Sequence, residues 1–425
     1  MAVDFYRLAN GVRVLLVPMP GVESVAVGTF IQAGSRYETP RINGISHFLE
    51  HMVFKGTRKF PSPAQTSYLE GLGGQQNAWT DVDATAYWSK LPADRWQEGL
   101  ELVKELALYP TLPKQDLEIE RGVILEEINR SNDRPDELVS EVLQQAMFAG
   151  NPLGQTILGQ PRVIKSVPRQ DFVHYHQEHY VASKLVVTLA GKINLKLAKK
   201  AIEGWFGQLA SHSGPKFTSY IEKQKQPQVT IKNKALTGQV HVELGFRGLT
   251  LTDPRRFAQA ILTSYLGQGM SSRLFVELRE KRGLCYAVHA ADAKWPDTGV
   301  WGIYAGLNLD KLDQALMAIL TELTRVKLEL LSKAELIAAK EKIRGPLLFA
   351  MENPIHQMNF YSKQALDRPE EILSYQQIID KIMQVTSQQV CQVASDLFRT
   401  DKMNLAVVGQ IPPARKHQLL KLLKV

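Results

Sequence analysis

The chain contains two passages of the same pattern, and this limits the folds open to it more than any other feature. "KLVVTLAGKINLKLAKKAIEGWF" (Lys184–Phe206) and "MNLAVVGQIPPARKHQLLKLL" (Met403–Leu423) each run a short apolar strand, a glycine, a turn and an amphipathic helix. Their glycines, Gly191 and Gly409, are 218 positions apart. A second pair is "DATAYWSKLPADRWQEGLELV" (Asp83–Val103) and "DTGVWGIYAGLNLDKLDQALMAI" (Asp297–Ile319), with leading aspartates 214 apart and Tyr87 matching Trp301. Two pairs in one order at nearly one offset predict a duplicated unit of roughly 200 residues, an ordinary domain size. Between the copies lies "ASHSGPKFTSYIEKQKQPQ" (Ala210–Gln228), polar, with a glycine and two prolines and no helical stripe. That is a linker composition. The expected division is a first domain over 1–212, a linker over 213–228 and a homologous domain over 229–425. Strands alternate irregularly with helical stretches such as Pro254–Leu266, Leu309–Val326 and Ala334–Lys342. The predicted class is α+β, each half an antiparallel-rich sheet with helices packed on one face.

Composition narrows the function classes. Over 425 residues, 44% hydrophobic and 22% charged is the balance of a globular protein with large cores. The net charge of +8 is spread over dispersed Lys and Arg rather than a block, so nucleic acid is not an expected partner. Two cysteines, Cys285 and Cys391, are too few for a disulfide framework and point to a reducing compartment. The early apolar run Val12–Val17 is too short for a signal core and reads as a first strand. No run approaches membrane-spanning length. The expected location is cytoplasmic, or one reached after a targeting segment has been removed.

The chemistry concentrates in "HFLEHMVFKGT" (His47–Thr57). Apolar Ile45, Phe48, Leu49, Met52 and Val53 predict a helix over Asn43–Val53, with Gly56 as its stop. On it, His47 and His51 share a face and Glu50 lies beside them. Two imidazoles four apart can meet one ion, while a neighbouring carboxylate acts on a bound water without being a ligand. The competing reading is a surface helix with scattered polar residues, so a third ligand is needed. "HYHQEHY" (His174–Tyr180) looks metal-like, but His176 and His179 share a face with Phe172, which suits half-buried packing. The better source is "DLEIERGVILEEINRSNDRPDELVSE" (Asp116–Glu141), opened by Pro113. There Glu120, Ile124 and Glu127 line one face with Leu117. A carboxylate on an apolar stripe is costly unless it is paired or bound to metal.

H-x-x-E-H followed by a helix of the form E-R-x-V-I-x-x-E resembles the inverted zinc peptidases of the insulinase/pitrilysin type. Within them the chain is similar to the processing-protease branch, the bacterial homologues of the mitochondrial processing peptidase beta subunit. The resemblance covers nearly the whole chain. It implies His47, His51 and Glu127 as ligands of one zinc ion per chain, Glu127 lying 76 positions beyond His51. It implies Glu50 as general base and Glu120 as a supporting acid near the metal. "GGQQNAWTDVDATAYW" (Gly73–Trp88) resembles the family's substrate-binding edge strand, with Asn77 and Ala78 at the edge. The second half lacks the histidine motif but carries an R-x6-Y pair, Arg279 and Tyr286, which the family uses to grip substrate and stabilise the oxyanion. Glu137 and Glu141, four apart on one helical face, match the acids that in the processing branch accept an upstream arginine; the bland alternative is a solvated acidic face.

The expected activity is therefore that of a zinc metalloendopeptidase acting on peptides or presequence-like segments, with basic substrates favoured. Because one chain carries both the metal motif and the Arg/Tyr pair, a homodimer is expected, or a heterodimer with a related subunit. The alternative is a non-catalytic core or scaffold subunit that binds peptides; such relatives typically have degraded metal motifs.

Overall fold

The computed structural model describes residues 3–235, 238–412 and 414–425. In the first compact unit, six strands form a mixed sheet: β1 (Asp4–Arg7), β2 (Arg13–Pro18), β3 (Ser24–Ile31), β4 (Gln75–Thr80), β5 (Thr85–Pro92) and β6 (Leu185–Gly191). Their order is β1-β2-β6-β3-β5-β4; β2 runs parallel to β6 and the other neighbours are antiparallel. The central strands read as near-continuous apolar runs because both of their faces are covered. Alternate residues split accordingly. Val14, Leu16, Val25, Val27, Val187 and Leu189 join one core with Phe48, Leu49, Leu102, Phe172 and Ile202 of the flanking helices. Leu15, Val17, Ala26, Phe30, Val186 and Ala190 join a second core with Met358, Tyr361 and Ala365.

The second unit repeats this plan with five strands: β7 (Gln228–Asn233), β8 (Val240–Gly248), β9 (Ala287–Lys294), β10 (Gly299–Leu307) and β11 (Asn404–Gly409), in the order β7-β11-β8-β10-β9. Again one neighbouring pair, β7 and β11, is parallel. Val242, Leu244, Phe246, Trp301, Ile303 and Val407 form its main core. The repeated glycine also has a structural reason. Gly191 and Gly409 end equivalent strands at φ +138° and +151°, and a Cβ on Gly191 would lie 2.2 Å from the Ser24 carbonyl oxygen.

The units are not the two contiguous halves. The first comprises Met1–Asn129, Asn151–Thr218 and Phe349–Ser374, and the second Arg130–Gly150, Ser219–Leu348 and Tyr375–Val425. The division 1–212, 213–228 and 229–425 thus departs from the observed units at two helices, and the linker itself is shared between them at 218/219. The helix Pro135–Met147 packs on β8 and β11, whereas Pro354–Asp367 packs on β2, β3 and β6. These are equivalent elements: each follows a 19-residue helix, Lys114–Asn132 or Lys333–Met351, and opens with a proline at an offset of 219. The expectation of helices on one face of each sheet is corrected by the same observation, since each sheet takes a helix from the other half on its second face. Gly28 and Gly245 let those helices in. A Cβ on Gly28 would lie 2.8 Å from the Met358 sulfur, and one on Gly245 would lie 2.9 Å from the Met147 sulfur.

A charged cluster anchors Pro354–Asp367. Lys363 Nζ donates to Asp83 Oδ1 at 2.6 Å and lies 3.5 Å from Asp367 Oδ2. Arg13 Nη1 donates to the Ala365 carbonyl at 2.8 Å. No helix among the described residues is long and apolar enough to cross a membrane.

Candidate metal centre

The H-x-x-E-H segment forms the helix Ile45–Val53, as its apolar spacing requires. Ile45, Phe48, Leu49, Met52 and Val53 are buried, leaving His47, Glu50 and His51 on the less buried side. Gly44 precedes it at φ +97°, where the Gly159 backbone leaves no room for a Cβ. The buried Glu38 carboxylate caps the helix: Oε2 accepts the Gly44 N–H at 2.7 Å and Oε1 the Ser46 N–H at 2.8 Å. Burial raises the pKa of Glu38, opposed by the hydrogen bonds it accepts from Gly44, Ser46 and Asn43. Phe48 packs edge-on to Phe172, with centroids 4.8 Å apart, and Ser46 Oγ pairs with the Tyr175 hydroxyl at 2.7 Å. The helix is thereby locked to Arg169–His179.

The helix Lys114–Asn132 supplies the acids. Glu127 Oε2 lies 3.6 Å from His47 Nε2 and 3.6 Å from His51 Nε2. One donor atom from each of His47, His51 and Glu127 falls within 4.8 Å of the others, the one such trio among the described residues. Tetrahedral zinc with bonds of about 2.0–2.1 Å needs ligand atoms about 3.3–3.4 Å apart, and the two carboxylate–imidazole separations of 3.6 Å are close to that. Burial, and secondarily the neighbouring His51, pushes the His47 pKa down to about 3, so its imidazole is neutral as a ligand must be. His51 Nδ1 is 2.9 Å from Glu120 Oε2, and the Lys55 ammonium pairs with the other oxygen of the same carboxylate. That bond directs Nε2 of His51 towards Glu127. Burial alone would raise Glu120, but its bonds from Lys55 and His51 outweigh this and hold it below the usual carboxylate range. Among the described residues, His47 Nδ1 is buried without a hydrogen-bond partner.

Glu50 lies beside this trio without joining it. Its Oε2 accepts the Thr80 hydroxyl at 2.6 Å. Burial raises its pKa, opposed by the Thr80 bond. Thr80 ends β4, the outer strand of the sheet. Asn77 and Ala78 sit on that strand opposite Trp88 and Tyr87 of β5. The Ala78 N–H donates to Asn77 Oδ1 at 2.8 Å, so it is turned to the free edge.

The remaining residues singled out from the sequence lie in the second unit. Arg279 belongs to a π-helical turn, Phe275–Glu280, and its guanidinium stands 5.1 Å from the centre of the Tyr286 ring and 4.8 Å from that of Phe275. Tyr286 is 70% exposed. Glu137 is paired with Arg134 at 2.5 Å, and Glu141 Oε1 accepts from Gln145 at 2.7 Å. The histidine cluster set aside above is structural: His176 Nε2 pairs with the Ala107 carbonyl at 2.7 Å, and His179 stacks on Tyr175 with centroids 4.1 Å apart.

Sequence reasoning missed Glu38, Lys55, Thr80 and Lys363. An acid shortly before a helix start was a usable signal for Glu38. A hydroxyl thirty positions from its partner carried none. The second half has no counterpart of the trio: at the offset that aligns the long helices, Pro346 stands for Glu127 and Ala339 for Glu120.

Comparison with known proteins agrees with this architecture. Residues 13–161 match the family described as "Insulinase (Peptidase family M16)", and residues 166–343 match "Peptidase M16 inactive domain". The chain is 33% identical over 396 residues to the uncharacterized zinc protease YmxG of Bacillus subtilis, covering 93% of this chain and 96% of that protein. It is 32% identical over 406 residues to an uncharacterized zinc protease of Rickettsia bellii, covering 95% and 96%. A crystal structure of a protease from Helicobacter pylori superposes with a TM-score of 0.88 at 21% identity, over 96% of this chain and 99% of that one. A Pseudomonas fluorescens structure described as a peptidase M16 inactive domain gives 0.87 at 19% identity, over 97% and 98%. These two likenesses bear on the fold alone.

Proposed function

This chain belongs to the M16, or insulinase, family of zinc metallopeptidases, and from that premise we propose that it is an endopeptidase whose chemistry is carried by His47, Glu50, His51 and Glu127. The observation that carries the reading is the convergence of two imidazoles from one helix and a carboxylate from another, with a second carboxylate alongside. His47, His51 and Glu127 would hold the zinc ion, which when bound would supply Lewis acidity to a water and to the scissile carbonyl. Glu50 takes the proton of the attacking water and returns it to the leaving amine. Glu120 orients His51. An extended peptide adds to the free edge of β4 at Asn77 and Ala78 through main-chain hydrogen bonds, displacing the Asn77 side chain from the Ala78 N–H. By the family resemblance, Arg279 holds a peptide carbonyl and the exposed Tyr286 hydroxyl donates to the developing oxyanion.

The test is cleavage of quenched fluorescent peptides by the full chain, abolished by a chelator and restored by zinc. No cleavage by the zinc-loaded protein across an unbiased peptide library sinks the proposal. Within the library, an arginine upstream of the cut is expected to help by less than about tenfold, because Arg134 and Gln145 already occupy the Glu137 and Glu141 carboxylates.

Metal affinity provides a separate check. Loss of a supporting residue typically weakens binding about 10–100-fold, and loss of a ligand should cost more. Glu127→Gln is therefore expected to weaken zinc binding by more than about 100-fold, and Glu120→Gln by about 10–100-fold. Competition with a zinc-sensitive dye measures both. Wild-type affinity in Glu127→Gln would remove that carboxylate from the metal.

A further inference from the structure

We infer that Thr80 is a positioning residue for Glu50, tying the general base to the strand on which substrate is expected to dock; this rests on the peptidase reading above. A glutamate side chain on a helix has three torsions, and nothing on its own helix fixes the carboxylate of Glu50. The contact that does fix it comes from another element: Thr80 Oγ1 donates to Glu50 Oε2 at 2.6 Å. This occupies one carboxylate oxygen and sets the plane of the group, while Oε1 accepts no hydrogen bond among the described residues. A base must have one oxygen free for the water it deprotonates.

Thr80 is itself held firmly. It pairs with Thr85 at the end of β4, and the turn between them is closed by the Asp81 N–H to the Ala84 carbonyl at 2.8 Å. The Val82 carbonyl accepts the Arg36 N–H at 2.8 Å, and Thr85 Oγ1 donates to the Ala33 carbonyl at 3.0 Å. Asp83, in the same turn, is bound by Lys363. The hydroxyl is therefore presented by a platform anchored on three sides rather than by a loop, which is what a supporting residue needs to define a geometry. Asn77 and Ala78 lie three and two positions upstream on the same strand. The strand that would set the register of the peptide thus also sets the direction of the carboxylate. A misplacement of about 1 Å in a reacting group can cost on the order of 100-fold in rate.

The experiment compares wild type, Thr80→Val and Thr80→Ser as full-length zinc-loaded proteins. Valine keeps the shape and removes the hydroxyl; serine restores it. Thr80→Val is expected to lose about 10–100-fold in kcat, with KM within about threefold of wild type and zinc affinity unchanged by dye competition. Thr80→Ser should recover kcat to within about threefold. The inference is overturned if Thr80→Val turns over like wild type, if its loss lies in KM or in zinc affinity, or if Thr80→Ser stays as slow as valine. A zinc-loaded wild type that cleaves no peptide sinks the peptidase reading and this inference with it. A wild type that cleaves while Thr80→Val is unimpaired sinks the inference alone.

Discussion

Replacing Glu50 with glutamine is expected to lower kcat on a cleavable peptide by at least about 10³-fold while zinc content stays at the wild-type level. The two readouts separate because Glu50 adjoins the metal trio without being part of it: the converging donors are His47, His51 and Glu127. Glutamine matches glutamate in size, and its amide oxygen can still accept the Thr80 hydroxyl that now meets Oε2 at 2.6 Å. What it lacks is a basic lone pair that can take a proton. Positioned general acid–base groups contribute about 10²–10⁴-fold, and in the proposed mechanism one carboxylate acts twice, on the water and on the leaving amine. Stability is expected to hold or rise. Burial raises the pKa of Glu50, so its ionised form is a net cost to the folded state at neutral pH, which the neutral amide removes. Cleavage within about tenfold of wild type would take Glu50 out of the mechanism and leave the metal site without its base.

The second large effect is on stability, far along the chain from the metal motif. Lys363→Met removes the cation between Asp83 and Asp367, whose side chains are each only 6% exposed. Burial, aided by the neighbouring Asp83, already raises Asp367 to about 6, against the pull of Lys363. Without the ammonium two nearly dry carboxylates face each other. Breaking a buried pair typically costs about 3–5 kcal/mol. The lysine side chain is 37% exposed, so water moderates the loss and about 3 kcal/mol is expected. At about 2–4 °C per kcal/mol for a unit of this size, the first transition should move down by about 6–12 °C. Scanning calorimetry measures it. Adding Asp83→Asn and Asp367→Asn to Lys363→Met should recover much of the loss, because the penalty comes from unpaired charge. If the triple variant melts as low as the single one, the lysine acts through packing and the charge argument fails.

Lys363 also shows where reading along the chain stops. The sequence repeat showed Asp83 and Asp297 as matched aspartates, and the structure gives each a partner from a distant segment: Lys363 for Asp83, and the Tyr220 N–H, 2.7 Å from Oδ2, for Asp297. Nothing local to Asp83 identifies a lysine 280 positions away. The exchange of Pro135–Met147 and Pro354–Asp367 was hidden for a related reason. The two helices are equivalent copies with the same proline start and the same need to cover a sheet face, so the chain reads identically whether each stays with its own half or crosses. Only the both-sided burial of β2, β3 and β6 betrays that a further helix is required, and an apolar run does not say which one.

Local periodicity determined the features that depend on it: the duplication, the α+β class, the helix carrying His47, Glu50 and His51, and the apolar stripe that puts Glu120 and Glu127 on one face. A helix of 3.6 residues per turn sets which side chains share a face whatever surrounds it. Tertiary structure alone decided what depends on approach between segments. It brought the Glu127 carboxylate to 3.6 Å from both imidazoles, set Glu120 behind His51, hung Glu50 from Thr80 and gave each compact unit a helix from the other half of the chain. Distances of this kind follow from how cores close-pack around both faces of a sheet, and no spacing along the chain encodes them.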